Sequence, residues 1–199
     1  MKKLLIGLLT LVLLLLSGCV TPSVTGNDSG TQLKKSCDMN NGKACHELGL
    51  LYGPDGPYKS DLSKALKYFD KACDLKNAEG CHRVGLYYEG TKKDYSKSRK
   101  YYKKACNLND GVACIALAEH HAQSIGIKQD YSKAKEYYKK ACDLKVPKGC
   151  TTLGMLYRAG KGVKKDYSKA KEYYKKGCDL DDAAGCVLVR YPETEVKLW

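Results

Sequence analysis

The chain has 199 residues, a formal net charge of +13, 11 cysteines, and one phenylalanine against 16 tyrosines. That length supports one domain with a sizeable core, and so basic a balance points to acidic partners such as envelope polymers, anionic lipid headgroups or acidic protein surfaces. The absence of a phosphate-binding glycine loop, a dinucleotide fingerprint and a Cys-x-x-Cys pair sets aside nucleotide-dependent chemistry and disulfide oxidoreduction, and no cofactor is implied.

At the N-terminus Lys2 and Lys3 precede an apolar run from Leu4 to Leu16, interrupted by Gly7 and Thr10. It is shorter than the roughly 20 residues of a comfortable membrane span and reads as a secretory signal, residues 1–18. Its end, Leu16-Ser17-Gly18-Cys19, resembles the lipobox of bacterial lipoproteins. That resemblance implies cleavage before Cys19 and its lipidation, and Val20 in the next place implies an outer-membrane lipoprotein facing the periplasm or the surface. Each buried acyl methylene would add about 0.8 kcal/mol to anchoring. Residues 19–30 then read as a lipidated flexible tether. Nucleic acid is not a partner expected in that compartment. Setting Cys19 aside leaves an even number of cysteines in an exported chain, where disulfides form and persist.

The remaining cysteines fall in pairs eight residues apart: Cys37/Cys45, Cys73/Cys81, Cys106/Cys114, Cys142/Cys150 and Cys178/Cys186, repeating every 36, 33, 36 and 36 residues. Self-similarity at this period predicts stacked helix hairpins, about four full repeats with half-repeat caps over residues 31–191. The first helix of a unit is seen in Cys150 to Gly160, with Cys150, Leu153, Gly154 and Tyr157 on one stripe. Gly160, like Gly90, is expected to close it in a left-handed conformation. Gly49, Gly85 and Gly154 share a register with Ala118, where a small residue lets two helices approach. The second helix runs from Asp166 to Cys178, with Tyr167, Ala170, Tyr174, Gly177 and Cys178 on one face and its lysines elsewhere. Asp166 or Ser168 is expected to cap it. Copies run from Asp61, Asp94 and Asp130, and the second unit lacks three loop residues. Leu33 to Cys37 and Val187 to Tyr191 act as end caps. Pro192 then opens a tail, residues 192–199, in which Trp199 is expected to pack back on the last helix.

The pattern of cysteine, Leu-Gly-x-Leu-Tyr, Asp-Tyr-Ser-Lys-Ala and Tyr-Tyr-Lys-Lys-Ala-Cys resembles the Sel-like repeat family, relatives of tetratricopeptide repeats. With its paired cysteines it is also similar to the Helicobacter cysteine-rich proteins. The resemblance covers about Leu33 to Cys186 and implies an all-α, right-handed superhelical solenoid of antiparallel helix pairs with a concave face. The third copy departs from it, with Ala116-Leu117-Ala118-Glu119-His120-His121 in place of the signature. Geometry alone leaves two cysteine pairings open, since Cys45 and Cys73 of one unit would also meet at one hairpin end. The constant spacing of eight favours the short pairing, and the resemblance implies it.

The cysteine-rich relatives are associated with binding and weak hydrolysis of penicillin-type β-lactams. Ser132 and Ser168 match Ser-x-x-Lys formally, but Ser-Asp-Asn and Lys-Thr-Gly are missing, and both serines stand where a helix start expects one. No metal site is expected: His46 and His82 occupy a repeat position, and His120-His121 has no further ligand one turn away. Lys104, Lys140 and Lys176 recur one repeat apart, as do Tyr102, Tyr138 and Tyr174; these are the candidate binding residues, tyrosine supplying rigid area with a polar tip. The expected function is a lipid-anchored envelope scaffold that binds an envelope or host protein, a peptide or a peptidoglycan-like ligand in a concave groove. A β-lactam-binding hydrolase is the alternative that the resemblance implies.

Overall fold

The computed structural model describes the backbone of residues 26–191 and the side chains of residues 29–191. The signal segment, Cys19 and the tail with Trp199 lie outside the described residues. The chain divides into two units, Met1–Gln32 and Leu33–Trp199. Among the described residues there are ten helices and no strand. They are α1 (Gly26–Asp38), α2 (Gly42–Leu51), α3 (Leu62–Asp74), α4 (Ala78–Gly90), α5 (Tyr95–Asn107), α6 (Gly111–Ala122), α7 (Tyr131–Asp143), α8 (Pro147–Ala159), α9 (Tyr167–Cys178) and α10 (Ala183–Arg190). Helix α1 begins inside the segment that the sequence reads as tether.

Within the second unit, α2 packs on α3, α4 on α5, α6 on α7 and α8 on α9. Each of α3, α5, α7 and α9 also packs on the helix that follows it, so every hairpin buries its apolar stripe against the next. This is a solenoid of antiparallel helix pairs, and α10, the last of the described helices, packs as half a hairpin on α9 and α8.

The repeated aspartate starts each second helix. Asp61, Asp94, Asp130 and Asp166 accept a hydrogen bond from the backbone N–H three residues on, at 3.0, 3.0, 3.0 and 2.9 Å, satisfying one of the orphan donors of the first turn. First helices are capped in the same way by Asn41, Asn77 and Asp110, and by Asp182 through the N–H two residues on. Val146 offers α8 no side-chain cap, and Pro147 at the first turn supplies a preset φ instead. The turns between repeats are equally regular: Asn40, Lys76, Asn109, Lys145 and Asp181 all take positive φ, between 61° and 68°, directly before the next cap. Gly160 closes α8 at φ 69°, as its position suggested. Gly90 does not behave this way. It stays helical, and in the shortened second loop Lys93 makes the left-handed turn at φ 54°.

The small residue of each first helix lies against an aromatic ring of its partner. A Cβ on Gly49 would stand 2.6 Å from Phe69, on Gly85 2.5 Å from Tyr102, and on Gly154 2.7 Å from Tyr174. Disulfides join Cys37 to Cys45, Cys73 to Cys81, Cys106 to Cys114, Cys142 to Cys150 and Cys178 to Cys186. Each bridge closes the turn between one repeat and the next. The sulfurs of the first four bridges are buried, whereas Cys178 and Cys186 are both half-exposed.

Candidate functional site

The first helices carry large apolar side chains that none of the described residues covers. Leu50 on α2 and Leu86 on α4 are 37% and 44% exposed, and Val112 at the start of α6 is 55% exposed. Leu50 and Leu86 hold the same place, five residues after the first-helix cysteine. With Leu62, Leu66, Phe69 and Tyr87 they line a cavity of about 480 Å³ between α2, α3 and α4. On the other side of Leu86 a second cavity, about 390 Å³, lies between α4 and α6 and is lined by Val112, Ile115, Ala116 and Val146. The two form a trough across three repeats, and a contiguous exposed apolar patch of this kind marks an interaction surface.

Polar groups frame the trough, and most of them join neighbouring repeats. His46 Nδ1 lies 3.9 Å from Glu79, and burial lowers the histidine's pKa. His82 Nδ1 is 3.0 Å from Asp110, whose other oxygen caps α6. Burial would raise the Asp110 carboxyl, but the hydrogen bonds from His82 and the Ala113 N–H outweigh it and hold the pKa below 3.8. In the third repeat His120 occupies the place of Leu51 and Leu156, pointing a polar ring into the core. Glu89 of the preceding repeat meets it: His120 Nε2 is 3.1 Å from one carboxylate oxygen, and the Tyr102 hydroxyl donates to the other at 2.5 Å. Burial, and then that bond, raise the Tyr102 phenol above its ordinary pKa. Beside them Lys148 Nζ donates to Glu119 at 2.6 Å.

The binding residues expected from sequence need correction. Tyr102, Tyr138 and Tyr174 are fully buried between the helices of their hairpins and present no open face to a ligand; Tyr102 reaches the cavity between α4 and α6 only as a wall, through its bond to Glu89. Tyr174 belongs to the apolar stripe that Ala170 and Gly177 already mark. The neighbouring Tyr101, Tyr137 and Tyr173 are half-buried and stack on Tyr88, His121 and Tyr157 at 5.7, 5.9 and 5.5 Å. Lys104 pairs with Asp74 at 3.4 Å and lies over Tyr101; Lys176 pairs with Glu172 at 2.7 Å and lies over Tyr173. Lys140 is half-exposed on α7. None of the three lysines lines the trough. Ser132 and Ser168 are exposed in the first turns of α7 and α9, and neither is hydrogen-bonded to a histidine, lysine or carboxylate that could activate it. Among the described residues no group of three or more His, Cys, Asp or Glu is placed to hold a metal. The trough itself was missed. Its one sequence signal is a leucine at Leu50 and Leu86 that breaks the polar face of an amphipathic helix.

A family model described as Sel1 repeat matches residues 42–77, 78–110, 111–146 and 147–182. Among solved structures, the chain is similar to a Sel1 repeat protein from Oxalobacter formigenes at 24% identity and a TM-score of 0.74, over 84% of this chain and 71% of that one. It is also similar to c5321, a protective antigen of uropathogenic Escherichia coli strains with an SLR fold, at 27% identity and a TM-score of 0.76, covering 81% of this chain and 35% of that protein. Helicobacter pylori cysteine rich protein B matches at 37% identity and a TM-score of 0.54, over 67% of this chain and 98% of its own length. No curated protein matches the sequence.

Proposed function

The chain belongs to the Sel1 repeat family, whose members are generally protein-interaction scaffolds, and from that premise we propose that it is a lipid-anchored scaffold of the bacterial envelope that docks a protein or peptide segment in the first-helix trough. The observation that carries this reading is the uncovered apolar line of Leu50, Leu86 and Val112. Leaving a third to a half of each side chain in water forgoes roughly 0.5–1.5 kcal/mol apiece, and a partner that covers them recovers it. The rigid backbone suits the task, because a groove held by caps and bridges needs little ordering on binding. The anchor rests on the basic start, the apolar run and the motif ending in Cys19. It puts the protein at the outer membrane, on its periplasmic or outer face.

A photo-crosslinking amino acid at Leu86 should give adducts with envelope proteins. The same group at Lys100, exposed on the second helix α5, should give few. Equal labelling from both positions, or none from Leu86, would sink the trough as the docking surface. For the anchor, palmitate labelling is expected to disappear in Cys19→Ser; undiminished labelling would refute it.

A further inference from the structure

The chain is basic as a whole, yet its positive charge is not shared by the trough. Helices α2, α4 and α6 carry Glu47, Glu79, Glu89 and Glu119 against only Lys43 and Arg83. The second helix α5 alone holds five basic residues and no acid. The cavity between α4 and α6 concentrates this difference. It is lined by Glu89, Glu119 and His120, with Lys148 as the cation at its rim.

The hydrogen-bond inventory of that cavity is one-sided. Glu89 accepts from Tyr102 and His120, and a carboxylate has room for about two further donors. His120 is a 1% exposed ring, and its Nδ1 is buried with no hydrogen-bond partner among the described residues. Glu119 is met only by Lys148, whose side chain is 64% exposed and displaceable at little cost. The two carboxylates thus keep accepting capacity to spare, and the cation beside them, Lys148, sits on an exposed arm. The apolar cavity on the far side of Leu86 lies about one helix-packing distance away, roughly 10 Å, which three residues of extended chain span.

We infer that the cavity between α4 and α6 is a subsite for a basic side chain, best filled by arginine, of a peptide whose apolar residue about three positions away enters the cavity between α2, α3 and α4. Guanidinium brings five donors in a planar fork to a site that offers two part-exposed carboxylates, Glu89 and Glu119. Lys148 holds part of that place in the free protein. The inference rests on the trough being the docking surface, and it reverses the partner charge that the net charge of the chain suggests.

The test is selection of a displayed library of random ten-residue peptides on the full oxidised chain held in detergent, with the uncharged Leu86→Gln as an impaired-trough control. Selected peptides should carry arginine or lysine near an apolar residue, bind Leu86→Gln at least about fivefold more weakly, and lose about five- to tenfold in affinity for Glu119→Gln. Glu119→Gln leaves the core untouched, and Lys148→Ala should strengthen the same peptides. Peptides that need Leu86 but show no basic preference, or bind Glu119→Gln undiminished, overturn the basic subsite and leave the trough standing. Failure to enrich any peptide that distinguishes Leu86→Gln overturns both.

Discussion

Glu89 holds two partners on one carboxylate, and both come from the core: the Tyr102 hydroxyl of its own hairpin and the His120 ring of the next. Removing a shared acceptor leaves two buried polar groups unpaired, which costs more than the bonds themselves contribute. Glu89→Ala should therefore lower stability by about 2–4 kcal/mol, measured by urea unfolding of the oxidised protein. His120→Leu restores the residue found at Leu51 and Leu156, and in the Glu89→Ala background it should recover part of the loss; a strictly additive double variant would refute the coupling. Asp110 makes a prediction of opposite character. Its folded pKa lies below 3.8, so its stabilising effect is fully present above that value and fades as the pH falls through the depressed one. Asp110→Asn keeps a capping oxygen but loses the charge. It should cost about 1 kcal/mol at pH 7, with the gap to wild type closing below pH 3.8. A gap that is constant with pH would show that the charge contributes nothing.

Between elements, the fit of a first helix to its partner depends on the missing Cβ. Gly154→Ala would bring a methyl to within 2.7 Å of Tyr174 and 2.9 Å of the Ala170 carbonyl. Overpacking at such a contact costs about 1–3 kcal/mol, expected as a drop in melting temperature. Gly90→Ala is the control: its Cβ would meet nothing within 4 Å, and the residue is helical, so the change should be neutral or slightly stabilising. Much at this scale was legible in the sequence. The capping aspartates, the helix pairs and the small residue at Gly85 and Gly154 follow from local rules acting on a periodic text. Two readings failed because a repeat pattern says where residues recur, not which way they face. Tyr102 and Tyr174 recur because each fills the gap opened by a glycine, with Tyr138 buried at the same place in its repeat, and Gly90 fell outside its expected turn once three loop residues were gone. The Glu89–His120 pair could not be read at all, because its members are 31 residues apart in different repeats.

Over the whole molecule the solenoid is sustained by neighbour contacts and by one covalent tie per boundary. Each bridge spans eight residues and contributes roughly 2.5 kcal/mol by restricting the unfolded chain. The ties are not equivalent. Four join buried cysteines, three of them between two full hairpins, while Cys178–Cys186 is half-exposed and holds an eight-residue helix that has no hairpin partner among the described residues. Under millimolar dithiothreitol followed by alkylation and peptide mapping, Cys178 and Cys186 should be modified first; earlier modification of Cys106 and Cys114 would contradict this. The solenoid therefore has a direction of failure. Thiols would undo it from the C-terminal end, shedding α10 while the trough between α2 and α6 keeps its shape, so that the protein can be frayed chemically at one end without losing its grip at the other.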